Sequence, residues 1–519
     1  MNKKLTLLFF MVFSGLTVSS QNRQISLDIN QVKGNHSKVF KECIGAGRAN
    51  EGLRADWQQQ LKLVQDEIGF KYIRFHGLLS DDMGVYREDS KGNPEYNYQY
   101  IDVLFDYLLS VKLKPFVELG FMPSALASGP QTIFWWRGNV TPPKSYEKWG
   151  EFMRNLVLHF EQRYGQEEVK SWYFEVWNEP DLKAFFSGSL DEYLKLYDVT
   201  VKEIKSVCKD YKVGGPASAS PFLYETEFLK HCVNNNIPVD FISTHAYGVR
   251  EGFLDEFGQK GTLLDQDKNA ITSRMLRSRE LIKESKLPGL ELHFTEWSTS
   301  YTPFDPVHDS YHSAAFILDK VKGAENAVNS MSYWVFTDIF EEPGPRWTPF
   351  HGGFGLLNYQ TIKKPAYFAY YFMNQLGNTE LVNSDKASWA CKDKNGDIQL
   401  LYWNYTPTMA SDSVNNQVYY KRDLPSKSAG DVEISLSNLP KGNYNMEIYQ
   451  IGYQVNDVYA SYIKMGSPSQ ITREQVSELK QKNNGNAISS ETIKIKNGKL
   501  EKKMGMREND VFLVKVRKI

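Results

Sequence analysis

Cysteine is nearly absent. Four residues in 519, Cys43, Cys208, Cys232 and Cys391, are too few and too scattered for a disulfide framework or a metal-spaced cluster, and read mostly as buried thiols. Net charge is nearly absent as well: 61 basic against 62 acidic residues leave −1. Such a balance gives no electrostatic hold on a polyanion, so no nucleic-acid partner is expected. Apolar runs long enough for a membrane span are missing. A Gly-rich phosphate fingerprint is missing too, because "GAGRANEG" after the first strand candidate has the wrong spacing. "HAY" at 245–247 carries a single imidazole with no second cluster, so neither a metal nor a cofactor is expected.

The one strongly apolar stretch stands at the start. Lys3 and Lys4 precede "LTLLFFMVF", and "SGLTVSS" supplies small residues before Gln21. An apolar core of about nine residues falls short of the roughly 20 that cross a bilayer and fits a secretory signal. Residues 1–20 are therefore read as a signal peptide, and the protein as secreted or periplasmic. No cysteine follows the run, so a lipid anchor is not expected.

Aromatics are plentiful: 30 Tyr, 30 Phe and 11 Trp. They suit a site that stacks flat apolar faces, sugar rings among them. From about residue 41 to 376, short strand-like runs alternate with helical patterns. The strand candidates are 42–47, 71–77, 114–121, 172–180, 212–217, 240–248, 290–297 and 332–338. Between them lie stretches such as 54–69, 147–165 and 309–323, with apolar residues three and four apart. Eight strand–helix units predict an α/β fold, a (β/α)8 TIM barrel. After 377 the texture turns all-β, predicting a β-sandwich over 377–519, with a hairpin around "NLPKGNY" and 21–40 adding an extra strand.

In a barrel, chemistry belongs at the C-terminal ends of strands. Glu179 in "FEVWNEPDL" and Glu296 in "LHFTEW" both fall there. Leu290, Leu292, Phe294 and Glu296 share one parity. If the apolar members fill the interior, Glu296 points to the axis at the mouth. Two facing carboxylates, one protonated and one ionised, are the minimal equipment for breaking a glycosidic bond. Helix capping or Arg pairing is the plainer reading of each Glu alone. Around them stand Asn178, a donor for a sugar hydroxyl or a turn former, and His245 and Tyr247, one parity on strand six. Arg74 and His76 share strand two; Arg74 lies near Glu296 or pairs with Glu175. Trp334 is a pocket floor or a core residue.

These motifs resemble glycoside hydrolase family 39, its β-xylosidases more than its α-L-iduronidases. The likeness runs from "IGAGRANEGL" through "YIRFHGLLSDDMGVYRED", "FVELGFMPSALASG", "VDFISTHAY" and "SYWVFTDIFEE" to "FHGGFGLL". It implies a retaining exo-acting enzyme with Glu179 as acid/base and Glu296 as nucleophile, releasing xylose from xylo-oligosaccharides. It also implies sugar contacts by His76, His245 and Tyr247, hydroxyl recognition by Glu341 and Glu342, and aromatic walls from Phe185 and Trp135. Where the family's xylosidases follow the nucleophile with Tyr-Asn, this chain has Trp297-Ser298, a difference that bears on the sugar accepted. Another sugar (arabinoside, galactoside, glucoside or iduronide) is the rival within the class, and a non-catalytic carbohydrate-binding protein the rival outside it. Homo-oligomerisation is left open.

Overall fold

Short stretches of apolar and small residues, each too short for a helix, form eight parallel strands: β1 (Cys43–Arg48), β2 (Tyr72–His76), β3 (Lys114–Glu118), β4 (Tyr173–Glu175), β5 (Lys212–Ser218), β6 (Phe241–Tyr247), β7 (Glu291–Ser298) and β8 (Ser330–Tyr333). Each is hydrogen-bonded to the next and β8 to β1, closing a barrel. The structure, a computed structural model, describes residues 22–220, 222–254, 260–407 and 414–519; the stretch read as a signal peptide lies outside them. Helices such as Ala55–Glu67, Tyr146–Tyr164 and His312–Ala324 surround the barrel. Ser145 and Ser189 cap two of the helices through their hydroxyls.

The floor of the barrel interior is aromatic. Tyr72, Phe116, Tyr173 and Phe241 cluster with Cys43, and His293 meets three of those rings at 4.8–5.4 Å. This corrects the parity expected of β7. His293 and Thr295 face inward, whereas Leu292 and Phe294 belong to the apolar layer under the helices. Opposite β6, Thr244 pairs with Phe294 and His245 with Glu296, so Thr295 is an extra residue in β7. Such a bulge re-aims the next side chain. Both Thr295 and Glu296 consequently point into the barrel.

The C-terminal half forms two sheets. Seven strands run in the order Val32–Asn35, Thr379–Leu381, Ser388–Lys392, Ile398–Trp403, Val511–Lys518, Gly442–Ile451 and Ser489–Ile495; three more are Arg23–Asp28, Ser428–Ser437 and Leu500–Arg507. Between the sheets lies a core including Leu27, Leu400, Ile434, Met446 and Val514. The expected hairpin at "NLPKGNY" is not one. Ser428–Ser437 and Gly442–Ile451 sit in opposite sheets, because both strands bury every second residue toward the same core from opposite sides. The 10-residue helix Arg473–Lys482 lies between the strands Gly442–Ile451 and Ser489–Ile495. Among the described residues no disulfide forms, and no helix is long and apolar enough to cross a membrane.

Candidate active site

β2 alternates its interior residues, and Arg74 and His76 rise from it above the aromatic floor. Arg74 is fully buried and holds four groups. Nε donates to Glu175 at 2.8 Å, Nη1 to Glu296 at 2.5 Å, and Nη2 to the Asn178 Oδ1 at 2.7 Å while lying 2.9 Å from Glu118. The two alternatives left open for Arg74 therefore both hold. Burial opposes its charge, but Glu175, Glu118 and Glu296 outweigh that cost. Its face lies 5.6 Å from the Trp334 ring. Bonding Asn178 through its oxygen leaves the buried Nδ2 without a partner among the described residues.

Glu296 accepts from Arg74 on one oxygen and from the Tyr247 hydroxyl, at 2.7 Å, on the other. Two donors on two oxygens is the bonding of a carboxylate anion. Glu179 stands in the opposite setting. β4 ends at Glu175, and Glu179 follows in a loop where it and Trp177 take left-handed backbone angles of 45° and 73°. It is therefore not on the strand, as expected, but in the turn beyond it. Its amide is tied to the Ala217 carbonyl, and Trp177 is buried against Phe121 and Phe186. Burial pushes the Glu179 carboxyl up to about 8, and the Asp181 charge adds to the rise. Among the described residues its side-chain partner is His245 Nδ1 at 2.8 Å. Burial pulls His245 down to about 4, so the ring is neutral.

An oxygen of Glu179 and an oxygen of Glu296 lie within 4.8 Å of each other. His245 Nδ1 completes a trio that resembles a cation cage, but Arg74 already holds Glu296, which suits an anion there and not a second cation. Both carboxylates open onto a cavity of about 630 Å³, a common size for a small-ligand site. His76, Phe185, Tyr247, Trp334 and Glu342 also line it. His76 Nδ1 is fixed by Glu118 at 2.6 Å, and Nε2 sits 3.5 Å from Glu296 and 3.6 Å from Glu342. Burial, reinforced by Glu296 and other carboxylates, pushes Glu342 well above the usual range.

Four expected residues are off the cavity lining: Asn178 and His245 lie buried beside the two carboxylates, and Glu341 and Trp135 stand elsewhere. Glu341 is held by Arg48 at 2.6 Å and Arg54 at 3.1 Å and does not line the cavity. Its charge is spent on guanidinium groups. Trp135 is 58% exposed and off the lining; its neighbour Phe134 stacks on His76 instead, at 5.8 Å. Trp297, the departure beside Glu296, faces outward onto Phe316 and Tyr333, so it does not shape this cavity. The sequence reading missed Glu118, whose parity with Phe116 on β3 could have found it. It also missed Leu182, Phe222, Arg274, Tyr301 and Phe354 on the lining, which follow no strand pattern.

The profile of glycosyl hydrolases family 39 matches residues 23–499. The chain belongs to that family. This family-39 chain is accordingly a glycoside hydrolase, in a family of retaining glycosidases. It is 44% identical over 373 residues to a β-xylosidase of Geobacillus stearothermophilus, covering 71% of this chain and 74% of the relative. It is 37% identical to a β-xylosidase of Caldicellulosiruptor saccharolyticus, with 88% and 90% covered. A monomeric β-xylosidase from Caulobacter crescentus CB15 superposes with a TM-score of 0.92 at 40% identity, covering 96% of this chain and all of that one.

Proposed function

We propose that this family-39 enzyme is an exo-acting β-xylosidase, with Glu296 as nucleophile and Glu179 as acid/base. The observation that carries the residue assignment is the pair itself: two carboxylate oxygens within 4.8 Å, one group doubly hydrogen-bonded as an anion, the other kept protonated by burial. Retaining glycosidases hold their carboxyl groups about 5–5.5 Å apart, and inverting ones about 6.5–9.5 Å. Xylose as the released sugar rests on the likeness to the two bacterial β-xylosidases.

In the first step Glu296 attacks the anomeric carbon while Glu179 gives its proton to the departing glycosidic oxygen, leaving a covalent glycosyl-enzyme. In the second, ionised Glu179 takes a proton from water, whose oxygen displaces Glu296 at the same carbon. Two inversions give retention. His245 donating from Nδ1 to Glu179 is the tautomer that leaves the Glu179 proton free for the substrate. Asn178 Nδ2, without a partner among the described residues and held by Arg74 through its oxygen, donates in this reading to the sugar 2-hydroxyl as positive charge develops. Trp334 supplies a flat apolar face, and Glu342, whose carboxyl burial pushes up, can bond a hydroxyl from the same lining.

The test uses 4-nitrophenyl β-xyloside. Glu296→Ala should reduce turnover to background, and azide should restore Glu179→Ala with a β-xylosyl azide as product. Normal turnover in Glu296→Ala, or an α-azide from Glu179→Ala, would remove the assignment. A panel of nitrophenyl glycosides checks the sugar separately. Export through residues 1–20 belongs to the same reading, supported by Lys3, Lys4 and the short apolar core. N-terminal sequencing of the enzyme recovered outside the cytoplasm should begin near Gln21; an intact Met1 would overturn it.

A further inference from the structure

The cavity has two ends of different chemistry. The buried end holds Glu179, Glu296, His76 and Trp334. The other is built by the segments after β4, β5, β6 and β7 and carries Leu182, Phe222, Val249, Arg274 and Tyr301. The double displacement uses none of these five. Leu182 N–H bonds the Glu179 carbonyl, the segment before Phe222 donates from Ala219 and Ser220 to Asp181 of the same loop, and Arg274 bonds β6 at Tyr247, two residues from the Glu179 partner His245. A proton donor faces the leaving group, so this is the end where the departing part of the substrate lies. Tyr301, 51% exposed, and Leu182, 39% exposed, offer apolar faces of the kind a pyranose ring covers.

Among the described residues Arg274 is the one guanidinium on the lining. It rises from the helix Ala270–Glu284. Nη1 donates to the Tyr247 carbonyl at 2.9 Å, while Nη2 reaches its carboxylate neighbour, Asp265, only at 3.9 Å, and the side chain is 32% exposed. A guanidinium offers five N–H donors in a flat fork, and most of these have no partner among the described residues. The buried end, in contrast, presents an anion. A negatively charged substrate pays to approach Glu296 unless a cation meets its charge.

We infer that Arg274 binds a carboxylate on the leaving part of the substrate, so that the enzyme accepts acidic xylo-oligosaccharides in which a uronic acid branches from the xylose next to the one released. Bidentate pairing of a guanidinium with a carboxylate gives both geometry and energy. This rests on the β-xylosidase reading, and the experiment separates the two.

The measurement is kcat/KM for xylobiose and for xylobiose carrying a glucuronosyl branch on its reducing-end xylose, taken as a ratio. Slackening of Tyr247 would lower both substrates and leave the ratio alone. In Arg274→Gln the acidic-to-neutral ratio should fall about tenfold, and in Arg274→Lys it should stay nearer the wild-type value. In the wild-type enzyme the ratio should also fall as salt screens the pair, a readout that needs no variant. A wild-type enzyme that cleaves xylobiose but rejects the branched compound overturns the inference alone, as does a ratio unmoved by both Arg274→Gln and salt. Failure to cleave either substrate would instead sink the β-xylosidase reading.

Discussion

At the scale of single residues, the decisive property is that two glutamates of identical chemistry are made different by their surroundings. Glu296 is given two donors, and Glu179 is given burial and a neighbouring anion. Asp181 accepts the amides of Ala219 and Ser220 at 2.9 Å, which fixes its charge two residues from Glu179. The free-enzyme profile of kcat/KM should therefore fall as pH rises through about 8, where the acid loses the proton it must donate. The sign follows from the shift: a raised carboxyl stays protonated, and so active, to higher pH. Asp181→Asn removes the like charge and should move that alkaline limb to lower pH, read from a nitrophenyl xyloside titration. A variant weakened equally at every pH, with its limb unmoved, would assign Asp181 to loop geometry alone.

At the scale of elements, the barrel was legible because parallel strands buried on both faces appear as short apolar runs between amphipathic helices. Which face each residue takes was not. Parity placed Glu296 inward for the wrong reason, since the Thr295 bulge inverts the alternation just before it, and nothing in "HFTEW" announces a bulge. Glu179 escaped the strand because left-handed turns depend on tertiary packing around Trp177. Strand alternation also says nothing about partners, which is how two consecutive strands at "NLPKGNY" were paired when they face one another across a core. Another element-level device carries no periodic signal either. Lys364, fully buried before the helix Pro365–Asn374, binds Asp309 at 2.7 Å, Asp338 at 3.0 Å and the Gly353 carbonyl at 2.7 Å. It ties the segment after β8 to the turn Pro306–Asp309 and anchors Phe354 on the cavity. Lys364→Met would leave two buried carboxylates facing each other. The expected loss is about 3–5 kcal/mol, by analogy with other buried pairs broken on one side, measured by denaturant unfolding. A loss under about 1 kcal/mol, the range of a surface pair, would mean the cluster is not held by charge.

At the scale of the whole molecule, the two halves of the fold are joined by the chain and by a shared core. The N-terminal strand Arg23–Asp28 pairs in parallel with Ser428–Ser437 before the chain enters the barrel. Arg23 also grips Asp385 at 2.6 Å and 2.7 Å, with further bonds to the Ala387 and Trp403 carbonyls. The seven-stranded sheet turns Trp389, Leu401, Trp403 and Leu513 toward the barrel, where they join the same apolar cluster as Phe316, Phe368 and Phe372 of its outer helices. Trp389 donates to Glu325 at 3.0 Å across that boundary. Burying several large side chains at roughly 1.5–3 kcal/mol each makes the contact comparable to the net stability of a domain. A boundary of that size couples unfolding, because either half alone would expose the other's covering surface. Calorimetry of the full chain should therefore show one cooperative transition, with calorimetric and van't Hoff enthalpies in agreement. Residues 41–376 expressed alone should melt lower than the whole protein or fail to stay soluble. Two resolved transitions, or a separate barrel with the full melting temperature, would show that the sandwich merely accompanies the catalytic domain.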